Sequence, residues 1–527
     1  MKKTLAIILA LVLTLGLASS ALADDSWPTL RVEVFDRDTA GLNVAEGWQH
    51  KYAQENFGDP NQINIEFVGY SRWGGEEGLI AADLAAHIAP DICITYNNNK
   101  IVDQYIEYEG LWQLNDLLEG APNLKAFLTE EGDDLLQVGQ RDGVQWFLNA
   151  RRISRANVGF FIREDWLKEL GMEKPTSIEQ LTAYLEAAQE KKLGGDNTVA
   201  FSFGIFESDP MFNVRRITDA FVDFSQVTEE DWYAYSKTPE MLPGAKEGFR
   251  WLNKLYNEGI ISESFALQNN DAANDTAMVM GYDGFFNGQP DQPWRTDKNY
   301  QIELEKNVPG GHWVSCSPFV NESLGKALRD IYTPAGLLIF IPKDSDEEHA
   351  KMAFKYLDWL ATPENLFAMQ NGTEGINYEK LNEDGIPIGV KAAADVPDEN
   401  KIHAGDIAFI SNGLYYGSAE KNAAALSLPF TGYEEDVKAA YLDSMTDTWT
   451  QIGWSVPIQA VTDYEGTVRG AEAKFIADVV SCDPAEFDTV FDAGIEDIKS
   501  AGATEIIDEL RANFQAGNAT GTFPGNK

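Results

Sequence analysis

Leu30, Val32 and Val34 alternate with Arg31 and Glu33, the two-residue period of a strand with one buried face. Ile63, Ile65 and Phe67 repeat that period within 61–68. The stretches 46–57 and 76–87 read as helices. The segment 90–96 then runs apolar through Ile92, Cys93 and Ile94 and stops at Tyr96, followed by Asn97, Asn98 and Asn99. Strand, helix, strand, helix, strand predicts a parallel α/β sheet. Ligands on such sheets bind outside the carboxyl ends of the strands. Asp36 and Arg37 follow the first strand, and Tyr96, Asn97 and Asn98 follow the third, so one rim is expected to carry both groups. There the tyrosine ring would be a platform and the amides hydrogen-bond partners. An asparagine-rich helix cap would leave the same pattern.

A second unit is expected from residue 146. Residues 159–162 read as a strand and 165–170 as a helix stopped by Gly171. Thr176 and Glu179 have capping-box spacing. Leu181, Tyr184, Leu185 and Ala188 then mark one buried helical face. Further helices are predicted over 245–258, 349–361 and much of 465–514, and short strands over 276–288 and 336–344. The alternation predicts two α/β lobes that share the chain discontinuously. The expected division is 27–145 with 275–340, then 146–274 with 341–515, and a flexible tail at 516–527.

The N-terminus changes the picture of where the chain works. Lys2 and Lys3 precede a short apolar run and the small-x-small site Ala21-Leu22-Ala23. Residues 1–23 therefore read as a cleaved signal peptide, with no lipobox cysteine beside the cut. The expected location is extracytoplasmic: secreted, surface-associated or periplasmic. Losing Lys2 and Lys3 takes the formal charge from −43 to −45. That balance disfavours nucleic acid and anionic membranes as partners. Cys93, Cys316 and Cys482 follow no metal spacing, and their odd count argues for free thiols.

The order of these pieces resembles the extracellular solute-binding proteins of ABC importers, family 1, the group that includes maltose-binding protein. The likeness is carried by "EVFDRDTAG", "LAAHIAPDICITY", "GFFIREDWLKELGMEKPTSIEQL", "AKEGFRWLNKLYNEGII", "IPKDSDEEHAKMAFKYLDWL", "NGTEGINYE" and the closing helices from "DPAEF". It spans 27 to about 515 and looks closest to the long, often lipid-anchored, sugar-binding members of Gram-positive bacteria. It implies a two-lobed periplasmic-binding-protein-like α/β fold (class II), with discontinuous lobes around a ligand cleft. It also implies an oligosaccharide ligand, capture by lobe closure, a membrane permease as partner, a monomer, and neither cofactor nor covalent chemistry. Many such relatives carry a calcium-loop-like stretch. Here "KKLGGDNTV" keeps only Asp196 and Asn197 of it, so no metal is expected.

The resemblance places sugar contacts at Asp36 and Arg37 and at Tyr96, Asn97 and Asn98. Trp73 is a candidate rim aromatic. Arg152 and Arg155 fall near a position that is acidic in the group, which suggests a carboxylate on the ligand or ion pairing within this acidic chain. Phe212, then Tyr282, Asp283 and Phe285, then Trp454 with Trp449, complete the candidates, with core packing as the rival role for the aromatics. The alternatives are a secreted glycoside-active enzyme and a binder of another solute such as a peptide. The chain has no Gly-x-Ser-x-Gly elbow and no His-Glu-x-x-His site.

Overall fold

The computed structural model describes residues 26–525 except 73–75, 97–99, 131–134, 142, 203, 207–208, 268–271 and 296–299. The first predicted strands form over Thr29–Asp36 and Asn64–Ser71 and pair in parallel. Their inward residues Leu30, Val32, Val34, Ile65 and Phe67 are buried, as the alternation requires. A parallel bridge from Val32 to Ile92 brings in the strand Cys93–Thr95. Beyond it the sheet is mixed. Ala335–Phe340 runs antiparallel to Cys93–Thr95 and to Leu148–Arg152, and Ser411–Asn412 closes the edge in parallel.

The second sheet orders Trp313–Cys316, Gly159–Arg163, Asp283–Gly288 and Val199–Phe201. The two sheets anchor two large hydrophobic cores. The molecule is thus a two-lobed α/β protein.

The expected division of the chain is corrected at both later boundaries. Asp283–Gly288 and Trp313–Cys316 pair with the strand Gly159–Arg163, so 275–330 belongs to the second lobe. The helix Glu347–Leu360 buries Phe354, Tyr356 and Leu357 in the first core, where Tyr356 meets Phe57 edge-on at 5.4 Å. That stretch therefore belongs to the first lobe, as does the strand Leu148–Arg152. The chain crosses between lobes near 152–158, 329–335 and 412–419. The crossovers are hydrogen-bonded to one another: Arg152 N–H to the Pro334 carbonyl at 2.8 Å, Tyr332 N–H to Arg155 at 2.9 Å, Ile153 N–H to Asn412 at 3.1 Å.

Local signals mostly hold. The helix Glu164–Leu170 ends at Gly171, whose φ of 66° is the left-handed conformation that glycine adopts without strain. The next helix is Ile178–Glu190, capped by Ser177 rather than Thr176. Thr176 N–H instead donates to the Gln180 side chain at 2.8 Å, so the reciprocal cap is shifted by one residue. Residues 276–280, read as strand, lie in the helix Ala272–Met280. The three cysteines are unpaired. No helix among the described residues is long and apolar enough to cross a membrane.

The C-terminal tail is not free. Ala519–Thr520 pairs antiparallel with Gly453–Trp454, and Phe523 packs 5.9 Å from Phe224 and 6.4 Å from Trp232. Deleting 519–527 should lower the unfolding free energy by about 1–3 kcal/mol, the cost of re-exposing one large aromatic and its neighbours. Urea unfolding checks this, and an unchanged midpoint would mean that the docked strand contributes nothing.

Candidate functional site

The carboxyl ends of the first-lobe strands meet the crossovers. Asp36 closes the first strand, and its Oδ1 accepts from Asp38 N–H at 2.9 Å. Arg37 turns inward and donates bidentately to Asp406, Nε to Oδ2 at 2.8 Å and Nη2 to Oδ1 at 3.0 Å. Burial alone would push the Asp406 carboxyl up, but hydrogen bonds from His403 and Arg37 hold it below its ordinary value. The same bond to Asp406 raises the Arg37 guanidinium. Arg37 is therefore already committed to an ion pair within the lobe.

Tyr96 ends the short third strand. Its ring stacks on Phe35 at 5.7 Å and 19°, and its hydroxyl accepts from Asn412 Nδ2 at 2.9 Å. Arg72 lies 4.5 Å from the Tyr96 ring and 5.4 Å from Phe35. Those three distances form a near-equilateral triangle, so Arg72 sits in the wedge between the rings. No other described ring or guanidinium covers the opposite face of Tyr96. Burial is the main cause of the raised Tyr96 phenol, with Asp406 adding to it and Arg152, Arg72 and Arg37 opposing it.

Arg152 ends the strand that enters the first crossover. Its guanidinium lies 4.5 Å above the Tyr332 ring on the second crossover. Arg155 is held differently: its Nε donates to the Tyr332 carbonyl at 3.0 Å and its Nη2 to Thr450 Oγ1 at 2.9 Å. It staples the crossovers together.

On the second lobe, a cavity of about 270 Å³ opens beside the crossovers. The helix Met211–Thr218 gives it Phe212 and Arg216, the crossovers give Asn157 and Asp330, and the C-terminal region gives Trp449 and Trp454. Arg216 stacks 3.6 Å from the Phe212 ring. Asp330 accepts from Asn157, from Gln451 Nε2 at 2.7 Å and from Arg216 Nε at 3.5 Å. Asn287, at the carboxyl end of its strand, donates to Asn213 at 3.2 Å.

Of the candidates read from the sequence, Asp36, Arg37, Tyr96 and Arg152 gather on the first-lobe side, and Phe212 and Trp454 line the cavity. Asp283 and Phe285 require correction. Both are wholly buried, and Phe285 is edge-on to Phe201 at 5.2 Å in the core. Asp283 begins its strand, at the end opposite Asn287, and burial pushes its carboxyl up to about 8. Tyr282, just before it, is set at that same far end, where its carbonyl accepts from Val199 N–H. Trp73, Asn97 and Asn98 lie outside the described residues.

Arg72, Asn157, Asn287 and Asp330 were missed. Arg72 could have been found, because it directly follows the second strand on the same rim. Among the described residues, no three His, Cys, Asp or Glu side chains converge as a metal site.

Stacking rings, amides and guanidinium groups around a junction between two lobes suit a polar solute with flat apolar faces. Residues 49–377, well over half of the chain, match the family model described as bacterial extracellular solute-binding protein. Lipoprotein LipO of Bacillus subtilis strain 168 is 22% identical over 475 residues, covering 86% of each chain. The polygalacturonan/rhamnogalacturonan-binding protein YtcQ of the same organism is 21% identical over 465 residues, 84% of this chain and 83% of the other. An HMO-binding, ABC-transporter-associated solute-binding protein from Bifidobacterium longum infantis superposes with a TM-score of 0.66 at 16% identity, over 94% of this chain and all of that one. The chain therefore belongs to the bacterial extracellular solute-binding proteins.

Proposed function

We propose that this protein is the extracytoplasmic substrate-binding component of an ABC importer, and that it captures an oligosaccharide between its lobes. The observation that carries the reading is the junction itself. Tyr96 on one lobe and Phe212 and Trp454 on the other bring aromatic rings to it, with Asn157, Asp330 and Arg152 between them, while Trp449 is buried against Trp232 and Arg215. Aromatic faces stack on pyranose rings, and amides with charged groups bind paired hydroxyls. The sugar-binding names of YtcQ and of the Bifidobacterium protein support the same ligand class.

Closure about the three crossovers would join the two half-sites and bury the ligand. The closed form, as a monomer, would hand the sugar intact to a membrane permease. It would do no chemistry on its cargo.

A thermal-shift screen of the mature protein against oligosaccharides and short peptides tests the reading. A ligand that binds only the folded state raises the melting temperature by mass action. A sugar that stabilises and is recovered intact supports the proposal. Stabilisation by peptides alone, or consumption of the sugar, defeats it. Tyr96→Ala should weaken binding of that sugar by about tenfold, one stacking platform being worth on the order of 1 kcal/mol. Calorimetry reads this, and an unchanged affinity removes Tyr96 from the site.

A further inference from the structure

Two arginines at this junction lack the carboxylate partner that most arginines of this chain have. Among the described residues the guanidinium of Arg152 donates to no acceptor, and its Nε is buried without a partner. The Arg72 guanidinium lies against the rings of Tyr96 and Phe35 and, among the described residues, makes no side-chain hydrogen bond. Among the described residues neither forms an ion pair, although the chain holds 84 acidic residues against 41 basic ones. Other arginines do pair: Arg37 with Asp406, Arg141 with Asp103, Arg163 with Asp165, Arg216 with Asp330.

The acids around Tyr96 do not serve as partners. Asp406 is neutralised by Arg37 with His403 against it. Asp36 accepts from Asp38 N–H, and Asp38 accepts from the Ser71 hydroxyl at 3.3 Å. A buried guanidinium donor with no acceptor costs free energy that an incoming anion recovers. Burial also lowers the affinity of Arg152 for its proton, the mark of a cation poorly compensated by its surroundings.

We infer that the oligosaccharide carries carboxylate groups, and that Arg152 and Arg72, set about the Tyr96 ring, receive a uronate residue. The guanidinium fork matches a carboxylate bidentately, while the half-buried Tyr96 ring would take the apolar face of the same pyranose. Arg152 projects from a crossover, so the carboxylate would bind where the lobes turn about one another. The inference rests on the proposed function and narrows its ligand to acidic sugars.

The test uses the full mature chain. Trimers of galacturonate, glucuronate, mannuronate and guluronate are compared with their methyl esters, which keep the rings and mask the charge, and with neutral glucose, galactose, mannose and fructose trimers. At least one uronate trimer should raise the melting temperature. Its ester should bind about 10- to 100-fold more weakly, and the uronate affinity should fall as salt rises. Arg152→Gln and Arg72→Gln should each weaken the acid by about 10- to 100-fold and bring acid and ester to similar affinities. Among the described residues the Arg152 side chain has no hydrogen-bond partner, and an unchanged melting temperature of the free variant verifies that it folds.

Binding of neutral trimers or esters as tightly as the acids overturns the inference and leaves the oligosaccharide function standing. Undiminished uronate binding in both variants overturns the assignment to these arginines. No response to any sugar overturns the oligosaccharide reading and this inference with it.

Discussion

Asp330→Ala is expected to lower the unfolding free energy by about 3–5 kcal/mol, the usual cost of removing one partner from a buried ion pair. Asp330 gathers three donors from separate parts of the chain. These are Asn157 on the first crossover, Gln451 Nε2 at 2.7 Å, and Arg216 Nε at 3.5 Å on the helix lining the cavity. Arg216 is 5% exposed and has one further nitrogen, Nη1, already without a partner. Without the carboxylate it becomes an uncompensated buried charge.

Burial by itself would raise the Asp330 carboxyl. Arg216 and the hydrogen bonds from Gln451 and Asn157 outweigh that and hold it below its ordinary value of 3.8. A group depressed on folding stabilises above its unfolded pKa and loses that contribution as pH falls through its folded one. The gap between wild type and Asp330→Ala should therefore be full at pH 7 and close only in strong acid. Urea unfolding at pH 7 and pH 3 measures it, and a loss under about 1 kcal/mol at pH 7 would defeat the argument. Asp330→Asn, which keeps the shape and one acceptor, should lose less.

The second large effect has the opposite sign. Glu240 is 1% exposed, and among the described residues neither of its oxygens meets a donor from another residue. Glu472, 3% exposed in the helix Gln459–Ser481, faces it electrostatically, with Asp209 nearby. Burial pushes Glu240 up to about 8, and burial together with Glu240 and Asp209 pushes Glu472 well up. Burial therefore favours the protonated form of both carboxyls in the folded protein.

Their contribution is greatest below the unfolded value of 4.5 and is lost as pH climbs towards 8. Glu240→Gln imitates the protonated acid and should leave stability near pH 4.5 almost unchanged. Its advantage over wild type should then grow with pH, by at most about 1.4 kcal/mol per unit, to a few kcal/mol near pH 8. Unfolding curves of the two proteins from pH 4.5 to 8.5 give the difference directly. A flat difference would mean that Glu240 ionises in the folded state as it does in the unfolded chain.

Much of the local structure was legible. The period of two at Leu30, Val32 and Val34 and the helical spacing at Leu181, Tyr184, Leu185 and Ala188 each put one face into a core. Gly171 marked its helix end, because few other residues take its backbone angles. Arg37 was found on the rim as expected, yet its bidentate bond spans 369 residues to Asp406, a partner that no local pattern announces. Asp283 misled for a related reason: an acid within a short apolar stretch looks the same whether it faces a ligand or a core.

The sequence alone determined most of the elements, the α/β class, the rim at Tyr96 and, through the order of its motifs, the family. These depend on contacts between near neighbours in the chain, and on periods that near neighbours display. The tertiary structure alone decided which lobe holds 275–330 and 341–417, how the tail docks, and that Asn157 and Asp330 share one knot. Both lobes have the same α/β texture, so composition cannot sort their segments. Asn157 meets Asp330 across 173 residues only because the crossovers pair, and that pairing is a property of the packed lobes rather than of either stretch.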